Sequence, residues 1–315
     1  TGCERMSELL GLDPRWNDNG DAAISVIKAC MAIQSGLASV VAIVFGYNQR
    51  SGGVKWGGAP SGSGDNYHTE DYHAPWGLTS QGSLYALLYQ SYRHKSGMTD
   101  AELGEVAVAQ RHWASLNPNA IMRKRITIDD YLAAPFICEP LRLFDYCIFN
   151  DGGVALIIAE AGRARKIARK PVYIESAARC DMNRRTTSMS PRIMDNYLPV
   201  QQDVAARLFN AASIGPEDID LLGVYDSFSP HIPIALEGHG YCPVGGAGKY
   251  LREKRIGPGG KLPTNTGGGH LSESYMQGWN HQIECVRQLR GEAALSVESC
   301  RHVQYVSDVV GKVFS

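Results

Sequence analysis

The chain has 315 residues, 44% of them hydrophobic and 20% charged, with a formal net charge of −1. That is the composition of a soluble globular protein with one large or two intermediate domains. A charge so close to zero gives no electrostatic footprint for nucleic acid or an anionic membrane surface. No apolar run is long enough to span a bilayer.

No secretory signal is visible, and the chain opens on Thr1 rather than methionine, so its true beginning is expected to lie upstream. Ala22 to Gly36, "AAISVIKACMAIQSG", has helical periodicity and a glycine stop. "ASVVAIVFG" follows as a continuous β-branched run, which predicts a central strand covered on both faces. "SGGVKWGGAPSGSGDNYH" reads as a glycine loop. Helical patterning resumes from Gln81 to Asn117, with Asp100 as the expected N-cap.

"GVALIIAE" is a second apolar run that reads as a buried strand, followed by a basic helix. "KPVYIESAA" opens a β-rich second half. "DVAARLFNAASIGPEDIDLLGVYDSFSP" reads as helix, turn and strand, and the C-terminal stretch ends on strand-like residues. The order of elements indicates α/β layers in two halves. There is no short repeat, P-loop or dinucleotide fingerprint.

The eight cysteines, Cys3, Cys30, Cys138, Cys147, Cys180, Cys242, Cys285 and Cys300, include no CxxC pair. Their scatter argues against a zinc ribbon within the chain and for reduced, mostly buried thiols of a cytoplasmic protein. The densest chemistry lies in "NTGGGHLSESYMQGWNH", Asn265 to His281, where three glycines lead to a tyrosine that reads as the first turn of a helix. "GGAGKY" is a short glycine loop that suits a phosphate or a plain turn equally.

Six ordered stretches resemble the thiolase superfamily in its sterol-carrier, lipid-transfer-like branch. They are "AIQSGLASVVAIVFGYN", "NDGGVALIIA", "EDIDLLGVYDSFSP", "GYCPVGGAGKY", "NTGGGHLSESYMQG" and "ECVRQLRGE". The resemblance runs over nearly the whole chain. It implies a thiolase fold, two similar halves in αβαβα layers with an inserted loop domain. Residues 1–169 would form the N-terminal half, truncated at its start and including a loop domain at about 47–146. Residues 170–315 would form the C-terminal half.

The resemblance also shows what is changed. Thiolases carry a nucleophilic cysteine at the start of the helix matching Ala22 to Gly36, where the helix end favours a thiolate. Asn19 or Gly20 falls there, and Cys30 lies too far along the helix. The thiolase Gly-His-Pro motif is replaced by Ser274, Tyr275 and Met276, and the late cysteine by "VSDVVGK" with Asp308. Without these cysteines no acyl-enzyme forms.

One branch of the superfamily departs in this way: the steroid side-chain-cleaving acyl-CoA aldolases, which resemble this chain in using tyrosines. The resemblance implies Tyr275 and Tyr225 as catalytic residues, with Gly268, Gly269, His270, Asn19 and Gly20 toward substrate or CoA. It further implies a retro-aldol lyase acting on a β-hydroxyacyl-CoA, with no metal and no cofactor other than the CoA of the substrate. The expected assembly is a homodimer joined by a small partner with a zinc ribbon and an OB-like fold. Asp226 and Ser227 read as a strand end, and His231 and His239 as helix or loop residues. Two other functions fit the scaffold: a thiolase whose nucleophile is hidden by a chain break near Asp18, and a non-catalytic acyl-CoA or sterol binder.

Overall fold

The computed structural model describes residues 3–20, 22–53, 74–78, 80–181, 193–309 and 312–315. The glycine loop expected in "SGGVKWGGAPSGSGDNYH" therefore falls largely outside the described residues, as does the side chain of Asp308. The chain opens with α1 (Cys3–Leu9), α2 (Ala22–Gln34) and β1 (Val40–Asn48). α3 (Gln81–Ser96), α4 (Asp100–Leu116) and α5 (Ile128–Ala133) follow. The short hairpin strands β2 (Phe136–Cys138) and β3 (Leu141–Arg142) lead to β4 (Asp151–Ala159) and α6 (Ala161–Ile167).

The second half holds β5 (Arg179–Asp181), α7 (Ile193–Ala212), β6 (Leu221–Val224), α8 (His231–Gly238) and α9 (Ala247–Arg252). It closes with α10 (Gly269–Ser272), α11 (Trp279–Arg290), β7 (Val303–Val309) and β8 (Lys312–Phe314). β6 and β7 run parallel, and the four-stranded order is β5-β8-β7-β6. The stretch at 170–178, expected to be strand-like, is irregular up to β5. The glycines of "GGAGKY" lead into α9 as an ordinary helix start.

β1 and β4 pair antiparallel along their whole lengths, with Ile43 opposite Leu156 and Phe45 opposite Val154. They are not the doubly covered central strands that their apolar runs predict. Exposure alternates residue by residue along β1, and Ile157 of β4 is 60% exposed. The reason is geometric: side chains alternate between faces, so each face needs its own cover. Ala22 and Val26 of α2, with Met276 and Trp279, cover the face bearing Ile43, Phe45, Val154 and Leu156. Val40, Val44 and Ile157 project from the other face.

α4 begins one residue earlier in its capping than the sequence suggests. Thr99, not Asp100, is the N-cap, and it forms a capping box with Glu102. Glu102 N–H donates to Thr99 Oγ1 at 3.3 Å, while Thr99 N–H donates to Glu102 Oε2 at 2.7 Å. Such reciprocal capping satisfies two otherwise orphaned amides and contributes about 1 kcal/mol. α4 then packs along α9 and α10, and the core is continuous from Tyr85 and Tyr89 through Leu222, Ile232 and Leu251.

Candidate active site

Two chain segments bring the site together. Tyr225 follows the last residue of β6, and its N–H donates to Val306 O at 2.8 Å, continuing the pairing with β7. A tyrosine there stands at the carboxyl end of parallel strands, where layered α/β folds gather their chemistry. Tyr275 lies in the connection between α10 and α11, not in the first turn of a helix as expected, because α11 starts at Trp279. Gly278 is the N-cap, with a positive φ of 89°.

A third segment, residues 145–150, ties these two together. Ser229 N–H donates to Asp145 O and Cys147 N–H to Ser227 O, each at 3.0 Å. Ile148 N–H donates to His270 O at 3.0 Å, and Tyr275 N–H to Asn150 Oδ1 at 2.6 Å. Asn150 belongs to the "NDGG" stretch, which carries the resemblance although its asparagine has no role that the sequence makes visible. The result is that the two phenolic oxygens meet at 2.9 Å, both rings buried.

Burial drives both phenols well above their ordinary value of 10. The bond between them lowers Tyr225 and raises Tyr275, and either phenol can be its donor. Neither phenol stands as a phenolate in the free protein. Cys147 lies close enough to add to both shifts, yet burial first, and Asp226 second, push its thiol up to about 12. A thiol held there is not a ready nucleophile. Cys30 is half-buried on α2, and burial raises its thiol too.

Asp226 is more than the strand end its sequence position suggests: it is the hub of a buried cluster. The main-chain N–H of His270 donates to Asp226 Oδ1 at 2.8 Å. His270 Nδ1 is 3.5 Å and His281 Nε2 2.9 Å from the same oxygen. Gly278 N–H donates to His270 Nε2 at 2.9 Å. The His270 ring lies beside both tyrosine rings, its centroid 4.8 Å from each of theirs. Burial, with His281 and His231 adding, pushes His270 well below the usual imidazole range.

Among the described residues, Asp226, His270 and His281 form a group whose spacing suits a metal ion. His281 escapes a reading of the sequence because it sits on an ordinary amphipathic helix, 55 positions after Asp226 in the numbering. His231, the first residue of α8, is buried and 3.1 Å from Ser227 Oγ. His239 caps the same helix.

The residues expected to face CoA fare differently. Gly268 and Gly269 are buried, and their missing side chains make room for Ala114 and for the Asp226 carboxylate, respectively. A Cβ at Gly269 would collide with Asp226, so its glycine serves packing inside the protein. His270 uses its Nε2 on Gly278. Asn19 and Gly20 are exposed, the carbonyl of Asn19 accepting from Lys28 at 2.8 Å. They nevertheless precede Ala22, which packs against Met276 beside Tyr275. The start of α2 thus lies on the same side as the tyrosine pair.

Comparison with known proteins supplies the lineage. Residues 184–312 match the family model described as thiolase C-terminal domain-like. The chain is 36% identical over 290 residues to a 17-hydroxy-3-oxo-4-pregnene-20-carboxyl-CoA lyase of Mycobacterium tuberculosis, covering 90% of this chain and 75% of the relative. It is 34% identical to a steroid side-chain-cleaving aldolase of Thermomonospora curvata, covering 86% and 71%. The solved Ltp2-ChsH2(DUF35) aldolase superposes with a TM-score of 0.83 at 30% identity, over 93% of this chain and 76% of that one. The chain therefore belongs to the thiolase superfamily, among its acyl-CoA aldolases, and is a carbon–carbon lyase by class. It has the thiolase fold. Among the described residues, no helix is long and apolar enough to cross a membrane.

Proposed function

We propose that this aldolase cleaves a β-hydroxyacyl-CoA with a steroid or other alicyclic side chain, and that Tyr225 and Tyr275 move the protons. The observation that carries the reading is the 2.9 Å contact between two buried phenols in place of the cysteine and histidine of a thiolase. In the retro-aldol step the β-hydroxyl loses its proton and the bond between the α- and β-carbons breaks. Its electrons pass to the thioester as an enolate, and the β-carbon leaves as a ketone or aldehyde. A proton added at the α-carbon completes the shorter acyl-CoA.

One proton leaves substrate and one returns, so a pair of neutral phenols suffices. One oxygen accepts the hydroxyl proton as the pair passes its own onward. That coupling is required here, because burial makes a standing phenolate costly in either ring. The high Cys147 thiol and the absence of a cysteine near Asn19 weigh against acyl-enzyme chemistry.

Assembly follows the same pattern. The solved Ltp2-ChsH2(DUF35) aldolase is, by its name, an aldolase joined to a second component, which supports a small zinc-ribbon and OB-fold partner here. Among the described residues the outer edge of β1 is unpaired, and Val40, Val44 and Ile157 are exposed on the same sheet, which supports a homodimer across it.

The test is Tyr275→Phe and Tyr225→Phe in the assembled protein, assayed with a β-hydroxyacyl-CoA. Turnover should fall by about 10²–10⁴-fold with KM nearly unchanged. Cys147→Ala and Cys30→Ala should leave turnover within about threefold, since no step uses a thiol. Undiminished cleavage by Tyr275→Phe, or a covalent acyl-cysteine trapped during turnover, overturns the reading.

A further inference from the structure

The cluster of Asp226, His270 and His281 asks to be read as a metal site, but its hydrogen bonds argue otherwise. A main-chain N–H can only donate, so the 2.9 Å contact from Gly278 makes His270 Nε2 an acceptor with no proton. In a neutral imidazole the proton then sits on Nδ1, the nitrogen that faces Asp226 Oδ1. That nitrogen has no lone pair for a metal. Ligation at Nδ1 would require either an imidazolate or loss of the Gly278 contact.

The consequences of the Gly278 contact reach both tyrosines. Gly278 has a φ of 89°, and a Cβ there would strike the Tyr305 hydroxyl and crowd the Tyr225 ring. Gly278 is therefore wedged against Tyr225, while three residues upstream the same loop carries Tyr275. We infer that His270 is a positioning residue: Asp226 holds its main-chain amide, and its Nε2 clamps the Gly278 amide, which sets the Tyr275 loop against Tyr225.

His270 touches no reacting atom in this arrangement; it acts through the tyrosines, and so rests on their proposed role. The cluster holds the loop from within a dry interior, all three side chains being at most 3% exposed. A buried, oriented imidazole is suited to this because its two nitrogens are distinguished by their partners. Glutamine at 270 retains an amide oxygen that can accept from Gly278; leucine retains bulk alone.

The experiment combines a spectroscopic and a kinetic arm on the assembled protein. In ¹⁵N-histidine-labelled protein, one imidazole should show the Nδ1–H tautomer, unchanged from pH 6 to 8, and that signal should vanish in His270→Gln. His270→Leu should lower kcat by about 10–100-fold with KM within about threefold, the scale expected of a slightly misplaced catalytic group. His270→Gln should restore turnover to within about threefold of the parent.

An Nε2–H tautomer at His270, or equal kcat in His270→Leu and the parent, overturns the proposal. So does stoichiometric zinc in protein purified without chelator that is lost with His270→Gln. The tautomer signal does not depend on which residues do chemistry. If it is present while Tyr275→Phe stays active, the tyrosine reading fails and the clamp's geometry stands. If it is absent while Tyr275→Phe is inactive, the clamp alone fails.

Discussion

Glu273 opens the loop that carries Tyr275, and its carboxyl is buried between two amides. Asn117 Nδ2 donates to Oε1 and Asn280 Nδ2 to Oε2, each at 3.3 Å. Those bonds favour the carboxylate, but they lose to burial and to the neighbouring Glu284, and the group is pushed up to about 7 from an ordinary 4.5. A folded-state value above the unfolded one means that Glu273 adds stability at low pH. That contribution is whole below pH 4.5 and is lost as pH rises through 7. The difference, about 2.5 pH units at about 1.4 kcal/mol each, is about 3 kcal/mol.

Glu273→Gln removes the ionisation and keeps the shape. Relative to the parent it should gain stability between about pH 4.5 and about pH 7.5, approaching about 3 kcal/mol at the upper end, on top of a constant offset from exchanging one acceptor for a donor. Urea unfolding of both proteins at half-unit pH intervals, with shared buffer and ionic strength, reads the difference directly. The constant offset does not affect the slope. A difference that stays flat across this window would refute the buried-carboxyl reasoning.

Two other perturbations probe the scaffold around the site. Gly278→Ala places a methyl against Tyr305 and Tyr225 at a φ of 89°, and should both destabilise the fold by about 2–3 kcal/mol and cut turnover; thermal melting and steady-state kinetics check the two effects. Tyr131→Phe removes the hydroxyl that donates to both oxygens of the fully buried Asp145, at 3.0 and 2.9 Å. Burial holds Asp145 up to about 6 despite these bonds, so the loss should be about 2–3 kcal/mol at about pH 8 and smaller at about pH 5, where the carboxyl is protonated. Urea midpoints at the two pH values decide it.

How far the sequence reveals this molecule depends on the range over which each feature is set. α2 and α4 are legible from local periodicity and their stops, although Thr99 rather than Asp100 caps α4 because the reciprocal bond with Glu102 decides the cap. The pairing of Tyr225 with Tyr275 is legible through motif order, since each stands at a landmark of the superfamily. The burial of β1 and β4 is not. An apolar run records that a face needs cover, without recording which surface supplies it, and α2 covers only one of the two faces here.

The Asp226 cluster shows the limit most clearly. In the sequence, Asp226 looks like a strand terminus, His270 like a glycine-loop residue turned toward substrate or CoA, and His281 like a position on an amphipathic helix. The readings of Asp226 and His281 are locally correct, because each also satisfies its own segment, whereas the Nε2 of His270 accepts from Gly278 within the protein. What joins them is a sharp return of the chain at 267–278, which puts the loop's own amide on one imidazole nitrogen and Asp226 beside the other. The glycines there are required by this folding-back: Gly269 leaves room for the Asp226 carboxylate itself. A loop that resembles a ligand cradle in sequence thus uses its conformational freedom inside the protein, on holding two phenols at hydrogen-bond distance. We propose that the substrate is recognised by other surfaces, among them the start of α2, where Ala22 packs with Met276; a change around Asn19 and Gly20, which are exposed and precede it, should then alter KM before kcat.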